Sequence, residues 1–490
     1  MIFEAGTIYS FYAILLLLAS AFITAIVGIK KDNLVPFISI ASTFAAFLLT
    51  VFTVPLVISQ KILTMQMQAW PAPFGITVVV DPLALIMALL VTGIGFFVSL
   101  FSFRYIEEGK TEYYTLLSLI LVGILGVIHT GDMFNLFVFF EIVSISSYAL
   151  VAFKRNKASF EASIKYLIMN SFATSLILLG IAFLYGMTGT LNMAHLAVEI
   201  TGLSTPLLPI TFGIILAGFA LKAGLVPFHT WLPDAHSAAP SPISALMSGI
   251  MISMGVYAII RLTFTVFFAP AAVLSMLVIL GIASMLIGAV LAIMQSDLKR
   301  MLAYSTVSQI GYISMSLGLG TYLGAVGGIF HIINHTIIKS LLFLCAGVII
   351  YKIKTSDMNK ITSKFHPLLG YSFLIGVLSL AGIPLLNGFA SKWVIYLATL
   401  EVFPILTIFT VMVSVLTLAY GLKAFYLIFL VNVNHDKEKK SIPISMMIPI
   451  IILTALCIFF GIFSQFGYEI SEFVVSSLIK SQYILGVLNV

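Results

Sequence analysis

The sequence predicts an all-α integral membrane protein with about fourteen transmembrane helices, and three observations support this prediction. The chain has 490 residues, of which 61% are hydrophobic and only 9% are charged, whereas soluble domains are about 45–50% apolar and about 25% charged. Apolar stretches of about 20 residues, long enough to cross the hydrocarbon core, recur along the whole chain. Basic residues fall in alternate loops between these stretches. A series of soluble domains is therefore excluded.

The apolar stretches can be delimited between loops that carry charged residues, glycine or proline. They form two runs of seven. The first seven predicted spans cover residues 5–28, 34–58, 78–103, 114–129, 133–153, 162–187 and 208–230. The second seven cover residues 240–265, 271–294, 301–318, 324–351, 370–398, 404–431 and 445–466.

The distribution of basic residues tests this topology independently, because cytoplasmic loops are enriched in Lys and Arg. Loops between odd and even spans carry 16 of the 24 basic residues, whereas the opposite loops and the tails carry only Lys61 and Lys480. The odd-to-even loops are thus predicted to be cytoplasmic, and both termini extracytoplasmic, in a multi-pass protein of the cell membrane. The net charge of +6 reflects this orientation and indicates no nucleic-acid binding. The 16 residues are Lys30, Lys31, Arg104, Lys110, Lys154, Arg155, Lys157, Lys299, Arg300, Lys352, Lys354, Lys360, Lys364, Lys437, Lys439 and Lys440.

Two predicted spans are interrupted by glycine and proline beside a lysine. Residues 216–231 of the seventh span read LAGFALKAGLVPFHTW and contain Lys222; residues 380–393 of the twelfth read LAGIPLLNGFASKW and contain Lys392. Corresponding broken helices in two halves indicate an inverted repeat with an ion site near the bilayer midplane. The units would run in opposite directions because the breaks are five spans apart, an odd number. The alternative is that these residues are simply common in membrane helices.

Four ionisable residues are predicted to lie inside the bilayer: Glu141, Lys222, Lys339 and Lys392. A charge near the bilayer centre costs about 2.5–3.5 kcal/mol even on lenient insertion scales, and such residues usually face the bundle interior. A Glu–Lys pair that opens and closes as protons arrive would act as a proton switch. The alternative is a static ion pair. Arg261 lies near a span end, and we expect its side chain to reach the headgroup region.

His331, His335 and Lys339 are spaced four residues apart, which places them on one face of the eleventh predicted span. Two imidazoles and an amine in one row can pass protons along hydrogen bonds or bridging waters. The alternative is a pair of core histidines bonded to backbone carbonyls. No second pair of ligands in the sequence points to a haem or metal site.

The cytoplasmic mouth of the seventh span carries His229, Asp234 and His236, which are candidate proton-uptake groups, although packing of the loop explains them equally well. The nearby cluster of Asp297, Lys299 and Arg300 is predicted to be structural. Cys345 and Cys457 lie in apolar runs without a CxxC or Cys/His spacing, and no nucleotide-binding motif stands in a strand-to-helix context. The sequence therefore predicts no bound cofactor and no catalytic residue of its own.

Several long motifs, in order, resemble one membrane-protein family. They are KAGLVPFHTWLPDAHSAAPSPISALM at residues 222–247, DLKRMLAYSTVSQIGY at 297–312, HIINHTIIKSLLF at 331–343 and GIPLLNGFASKW at 382–393. Together they resemble the antiporter-like proton-pumping subunits, which occur in NADH:quinone oxidoreductase, in Mrp-type multisubunit cation/proton antiporters and in membrane-bound hydrogenases. The resemblance covers nearly the whole chain and is densest from Glu141 to Trp393.

The resemblance implies a fourteen-helix fold with discontinuous helices 7 and 12 and two inverted five-helix units, helices 4–8 in residues 112–268 and helices 9–13 in residues 269–431. Helices 1–3 would occupy residues 1–111, and helix 14 with a short tail residues 432–490. It also implies that Glu141 modulates the protonation of Lys222, that Lys339 is the central relay and that Lys392 is the exit or coupling site. His331 and His335 match histidines of the family's eleventh helix.

Two features depart from the wider family. Many relatives carry Lys or His midway along the eighth helix, whereas this chain offers only hydroxyl groups there, Ser248 and Ser253 among them. A path from Lys222 to Lys339 would need these hydroxyls or ordered water. The tail after the fourteenth span is short, which makes the chain more similar to the D-type subunits of Mrp antiporters and their hydrogenase-related counterparts.

The leading hypothesis is therefore an ion-translocating subunit of a larger membrane complex, which moves protons, or exchanges protons for sodium, and binds no redox cofactor itself. Its partners would be other membrane subunits and lipid. Two alternatives remain at this point: a stand-alone secondary solute transporter, and a structural subunit with fixed charges. Whether the whole complex is an enzyme depends on those partners.

Overall fold

A computed structural model of the chain describes residues 5–67, 70–361, 365–431, 442–478 and 480–488. The predicted all-α membrane fold is confirmed, because long apolar helices account for most of these residues. Four basic residues of the predicted cytoplasmic set lie outside the described ranges. These are Lys364, Lys437, Lys439 and Lys440.

The N-terminal half of the chain folds into α1 to α11. The helices are α1 (Ala5–Gly28), α2 (Val35–Gln60), α3 (Pro82–Tyr105), α4 (Lys110–His129), α5 (Met133–Val151), α6 (Lys157–Thr188), α7 (Met193–Glu199), α8 (Leu207–Lys222), α9 (Trp231–Ala238), α10 (Ser241–Leu246) and α11 (Ile252–Ile260). A π-helical segment, Met247–Met251, joins α10 to α11, and a second one, Arg261–Val266, follows α11.

The C-terminal half folds into α12 to α20. The helices are α12 (Ala271–Met294), α13 (Leu298–Gly318), α14 (Tyr322–Ile353), α15 (Pro367–Ala381), α16 (Asn387–Val402), α17 (Pro404–Tyr426), α18 (Ile444–Ile462), α19 (Ser464–Ser477) and α20 (Lys480–Leu488). The continuous helix through α10 and α11 and the helix α14 are the most buried of the spans, whereas α1, α2 and α17 expose broad apolar faces.

The two predicted breaks are present. In the seventh predicted span α8 ends at Lys222, and the next helix, α9, begins only at Trp231, just past the predicted end of the span; the twelfth predicted span divides into α15 and α16. Within the described ranges, eleven helices are long and apolar enough to cross a membrane. The half-helices α8 and α15 are apolar but shorter. The total of fourteen spans therefore stays a prediction.

The start of the third predicted span is wrong by four residues, because residues 77–80 form a strand. The strand β2 (Thr77–Val80) pairs in antiparallel register with β1 (Leu63–Gln66). Three consecutive valines, which are β-branched, favour an extended conformation. The helix begins only where the Asp81 carboxylate accepts a hydrogen bond from the Ala84 backbone N–H at 2.9 Å, with Pro82 in the first turn.

The start of α5 is held by a short exchange of backbone hydrogen bonds with the segment before α7. The Met133 N–H donates to the Leu191 carbonyl at 2.9 Å, and the Met193 N–H donates to the Gly131 carbonyl at 2.8 Å. The Asp132 side chain caps α5. This bonding fixes the angle at which α5 enters the bundle.

The same arrangement recurs at the start of α13. The Leu298 N–H donates to the Ser356 carbonyl at 2.9 Å, the Met358 N–H donates to the Ser296 carbonyl at 2.9 Å, and the Asp297 side chain caps the helix. Each of these residues lies 165 positions after its counterpart at α5. The two helices that carry Glu141 and Lys299 are therefore anchored in the same way.

A buried ion pair joins the start of α3 to the end of α11, and it corrects the expectation that Arg261 reaches the headgroups. The Arg261 guanidinium donates to both Asp81 carboxylate oxygens, at 2.5 and 2.8 Å, and to the Tyr257 hydroxyl at 3.1 Å. The side chains of Arg261 and Asp81 are 3% and 0% exposed. Two hydrogen bonds to one carboxylate satisfy the planar guanidinium better than an extended side chain that reaches the solvent.

We expect that replacing one member of this pair destabilises the protein strongly. Arg261→Met leaves the Asp81 carboxylate buried and unpaired, a change that costs about 3–5 kcal/mol, and should lower Tm measured on the purified protein. Asp81→Asn/Arg261→Met removes both charges and keeps a capping side chain on α3, so its Tm should be higher than that of Arg261→Met. A double variant as unstable as the sum of the two single variants would contradict this account.

Candidate functional site

Lys222 ends α8, where the seventh predicted span breaks, and its amine is held by α5. Lys222 Nζ donates a hydrogen bond to Ser144 Oγ at 2.7 Å and lies 3.9 Å from Glu141 Oε1. The Phe140 ring centroid is 5.7 Å from the amine. The Lys222 side chain is 5% exposed and that of Glu141 is 32% exposed. The structure thus brings Glu141 and Lys222 close together, with a hydroxyl and not the carboxylate as the nearest partner of the amine.

A small cavity of about 20 Å³ separates Lys222 from the eighth predicted span. Its walls include Lys222 and Ser144 on one side and Met247 and Met251, from the π-helical segment, on the other. A volume of this size holds about one water molecule. The cavity therefore lies beside both the amine and the segment at Met247–Met251, which contributes methionine side chains to its wall.

The π-helical segment presents a hydroxyl and a carbonyl to its neighbours in place of the Lys or His that many relatives carry. Ser248 Oγ lies 2.6 Å from Thr306 Oγ1 on α13. The Gly249 carbonyl accepts hydrogen bonds from Thr336 Oγ1 on α14 at 2.7 Å and from Ser253 Oγ on its own helix at 3.2 Å. A π turn interrupts the regular hydrogen-bond ladder, which makes such contacts between helices possible.

Lys339 lies in the middle of α14 and is fully buried. Its amine donates to the Leu302 carbonyl at 3.0 Å and to the Ser305 hydroxyl. Ser305 is the sequence neighbour of Thr306, which contacts Ser248. The Ser305 and Thr306 hydroxyls and the Lys339 amine all bond the Leu302 carbonyl, so this carbonyl lies between the eighth predicted span and Lys339.

His331 and His335 differ in their surroundings although both are buried on the face of α14 that carries Lys339. His331 Nδ1 lies 2.9 Å from Ser391 Oγ on α16, and His331 Nε2 lies 3.0 Å from Gln309 Oε1 on α13. Neither ring nitrogen of His335 has a hydrogen-bond partner in the part of the chain that the structure describes. The imidazole of His331 bridges α13 and α16, and His335 lies one turn from it and one turn from Lys339.

Lys392 lies on α16, and its amine bonds backbone carbonyls at the C-terminal end of α15. Its amine donates to the Leu380 carbonyl at 2.9 Å, to the Ala381 carbonyl at 3.4 Å and to Ser414 Oγ at 3.2 Å, and it lies 4.6 Å from the Tyr312 ring centroid. The carbonyls at the end of a helix carry partial negative charge. The helix break thus supplies the polar partners of the buried amine.

The glycine that ends α15 makes this contact possible. Gly382 has a φ of +86°, which side chains rarely adopt, and a Cβ at this position would approach the Lys392 side chain to 3.0 Å.

The three candidates at the mouth of the seventh predicted span occupy different positions. Asp234 lies in an ion-pair network: its carboxylate is 2.5 Å from Arg300 Nη1 and 3.3 Å from Lys165 Nζ. A cavity of about 340 Å³ adjoins these side chains. His236 is completely buried, and His229 is nearly so. The structure does not bring His229, Asp234 and His236 into one cluster.

Sequence reasoning missed several members of the site because hydroxyls and amides carry no charge to mark them. Ser144, Ser305, Thr306 and Gln309 each bond a predicted residue or its neighbour. Their spacing is a usable signal, since Ser144 follows Glu141 by three residues and so shares its helix face. The expectation that Lys299 belongs to a loop cluster is wrong: its side chain is 1% exposed.

The assembled residues are buried amines and imidazoles, most of which bond hydroxyl, amide or backbone oxygens. Lys222, Lys339 and Lys392 each bond neutral oxygens. Lys339 and Lys392, which have no carboxylate within ion-pair distance among the described residues, can lose or gain a proton without leaving a permanent counter-charge unpaired. Hydroxyls accept and donate at once, so they can pass protons between such groups.

Known proteins are similar to this chain over most of its length. Residues 130–417 match the sequence model of the family described as "NADH:quinone oxidoreductase/Mrp antiporter, TM", and residues 66–115 match "NADH-Ubiquinone oxidoreductase (complex I), chain 5 N-terminus". The D subunit of the Na(+)/H(+) antiporter of Alkalihalophilus pseudofirmus is 35% identical over 469 residues, which cover 93% of this chain and 95% of that protein. The N subunit of NADH-quinone oxidoreductase of Desulforudis audaxviator is 36% identical over 422 residues, 81% of this chain and 84% of that one.

Two solved structures share the whole fold. A chain of the archaeal membrane-bound sulfane sulfur reductase superposes with a TM-score of 0.93 at 29% identity, over 98% of this chain and 99% of that one. A chain of the Mrp complex from Dietzia sp. DQ12-45-1b superposes with a TM-score of 0.90 at 26% identity, over 99% of this chain and 100% of that one. The chain spans the membrane several times and belongs to the NADH:quinone oxidoreductase/Mrp antiporter transmembrane family.

Proposed function

We propose that the chain is an ion-translocating subunit of a multisubunit membrane complex and carries protons along the row of Glu141, Lys222, Lys339 and Lys392. One observation carries the proposal: all three amines are buried and bond hydroxyl or carbonyl oxygens. Such amines change protonation state at lower cost than amines locked in tight ion pairs.

The geometry supports a stepwise mechanism. Glu141 attracts the Lys222 ammonium when the pair closes, and the proton becomes mobile when the pair opens, since 3.9 Å leaves room for both states. The proton then moves through the small cavity and the hydroxyls of Ser248 and Thr306 to Lys339. From Lys339 the route continues past His335 and His331 to Lys392 at the second break.

In this proposal residues 112–268 and 269–431 form two oppositely oriented units. The first three transmembrane helices lie in residues 1–111, and the fourteenth transmembrane helix lies in residues 432–490. The matched backbone bonding at the starts of α5 and α13 supports the repeat. The distribution of loop lysines and arginines supports a cytoplasmic position for the loops between odd and even spans. Both termini would then be on the extracytoplasmic side of the cell membrane.

The partners would be other membrane subunits. Support comes from relatives named as subunits of Na(+)/H(+) antiporters and of NADH-quinone oxidoreductase, and from matched chains in two membrane complexes. Proton translocation could be coupled to sodium movement or to electron transfer in such partners. Either coupling leaves the same role for the buried amines of this chain.

We expect Lys222→Ala to reduce proton transport by about 100-fold, in line with the loss of a proton-transfer group, while the complex still assembles. The initial rate of proton movement is measured in liposomes that contain the purified complex. Lys110→Ala is the matched control, because the Lys110 amine also has one side-chain oxygen partner but forms its bond at the exposed surface. Unchanged transport by the Lys222→Ala complex would overturn the proposal in favour of a structural role.

We expect loss of the hydroxyl contact between Ser248 and Thr306 to slow proton transport more than loss of a hydroxyl that bonds only its own helix. Ser248→Ala and Thr306→Val each interrupt the link to Lys339, and we expect transport to fall about tenfold. Thr306→Ser keeps a hydroxyl and should retain most of the rate. Thr50→Val is the control, since the buried Thr50 hydroxyl bonds only its own helix, at the Ala46 carbonyl. Equal rates for Thr306→Val and Thr50→Val would contradict the hydroxyl route.

A further inference from the structure

Lys299 is a buried amine that the row described above does not use. It lies in the first turn of α13, its side chain is 1% exposed, and its amine donates to the Ala239 carbonyl at 2.5 Å. No carboxylate of the described residues lies within ion-pair distance of it. A buried ammonium without a counter-charge is costly, so packing alone does not account for a lysine here.

His236 is a second buried group without an assigned partner. It is completely buried, and neither ring nitrogen has a hydrogen-bond partner in the described ranges. Its ring stacks on Phe343, with the centroids 5.0 Å apart. Phe343 follows Lys339 by four residues on α14 and so lies on the same helix face. The imidazole therefore lies beside the stretch of α14 that carries the central amine.

Hydrogen bonds of the two amines connect α13 with the surroundings of His236. The Lys339 amine bonds the Leu302 carbonyl, and Leu302 follows Lys299 by three residues on α13. Lys299 bonds Ala239, which follows His236 by three residues. His236 thus lies near both groups: the Lys299 amine bonds the end of its helix at Ala239, and its ring stacks beside the stretch of α14 that carries Lys339.

A cavity lies next to this group on the side of the basic loops. Its volume is about 340 Å³, and its walls include Lys154, Ala238 and Asp297. Ala238 is the neighbour of the residue whose carbonyl accepts the hydrogen bond from the Lys299 amine. The cavity wall at Ala238 is therefore one residue from the partner of that amine.

We propose that Lys299 and His236 form a loading route that brings protons from this cavity to Lys339, separate from the route through Lys222. Neutral Lys299 takes a proton from water in the cavity. His236 accepts this proton on one ring nitrogen and releases the proton of the other nitrogen to neutral Lys339. Lys299 and His236 return to their neutral forms, and Lys339 becomes an ammonium. The inference rests on the proposed function, because it assumes that Lys339 carries protons.

The test uses the complete complex in liposomes and compares three variants at positions 299 and 236. Lys299→Met keeps the length of the side chain but removes the amine. Lys299→Arg keeps a charged donor for the Ala239 carbonyl but cannot release its proton. We expect both to slow proton transport by about tenfold or more. His236→Gln should have the same effect and also serves if a variant at position 299 fails to assemble.

Lys423→Met is the matched control, because the Lys423 amine, like that of Lys299, bonds backbone carbonyl oxygen, at Ile293 and Gln295, but is exposed. It should transport at the rate of the unaltered complex. Full activity of Lys299→Arg beside an inactive Lys299→Met would show a structural role and overturn the inference, as would full activity of Lys299→Met. Lys339→Met distinguishes the two proposals. If Lys299→Met and Lys339→Met both transport protons normally, the proposed function has failed. If Lys339→Met is inactive while Lys299→Met transports normally, only the loading route has failed.

Discussion

The structure depends on the cost of burying an ionisable side chain in a medium that cannot solvate it. The chain meets this cost in two different ways. Arg261 and Asp81 neutralise each other in a bidentate pair that fixes α3 to the end of α11. The three amines at Lys222, Lys339 and Lys392 bond hydroxyls and carbonyls instead. The ion pair holds two helices rigidly together. In the proposed function, hydrogen bonds to neutral oxygens leave the amine protons exchangeable.

Segments of irregular backbone supply oxygen atoms that bond the buried polar side chains. The end of α15 offers its carbonyls to Lys392, and the π-helical segment at Met247–Met251 offers the Gly249 carbonyl and the Ser248 hydroxyl. Such backbone is stable within a membrane only where protein or water covers it. Breaks and π turns therefore mark the polar line through the bundle, while the regular helices around them supply its apolar walls.

Most of the helices were predictable from hydropathy, because about 20 apolar residues between loop signals leave few other solutions in lipid. Both breaks were predictable as well, since glycine and proline beside Lys222 and Lys392 mark them in the sequence. The strand β2 was not, because three valines fit a helix in lipid and a strand equally by hydropathy. Only the pairing with β1 decides between them.

The site was predictable where it is charged and not where it is neutral. Buried lysines stand out against an apolar sequence, whereas Ser305 and Gln309 resemble any other polar residue until the fold places them beside Lys339 and His331. Lys299 illustrates a different limit: the sequence assigned it to a loop, whereas it lies in the first turn of α13, and the packing of α9 against α13 buries it.

The central claim is that the buried amines change protonation state during turnover. It is tested most directly by the nitrogen-15 NMR signals of Lys222, Lys339 and Lys392 in the membrane-embedded complex, with and without an imposed proton gradient. The account predicts a neutral amine at one or more of these positions in one condition and an ammonium there in the other. Three ammonium signals that stay unchanged in both conditions would contradict it.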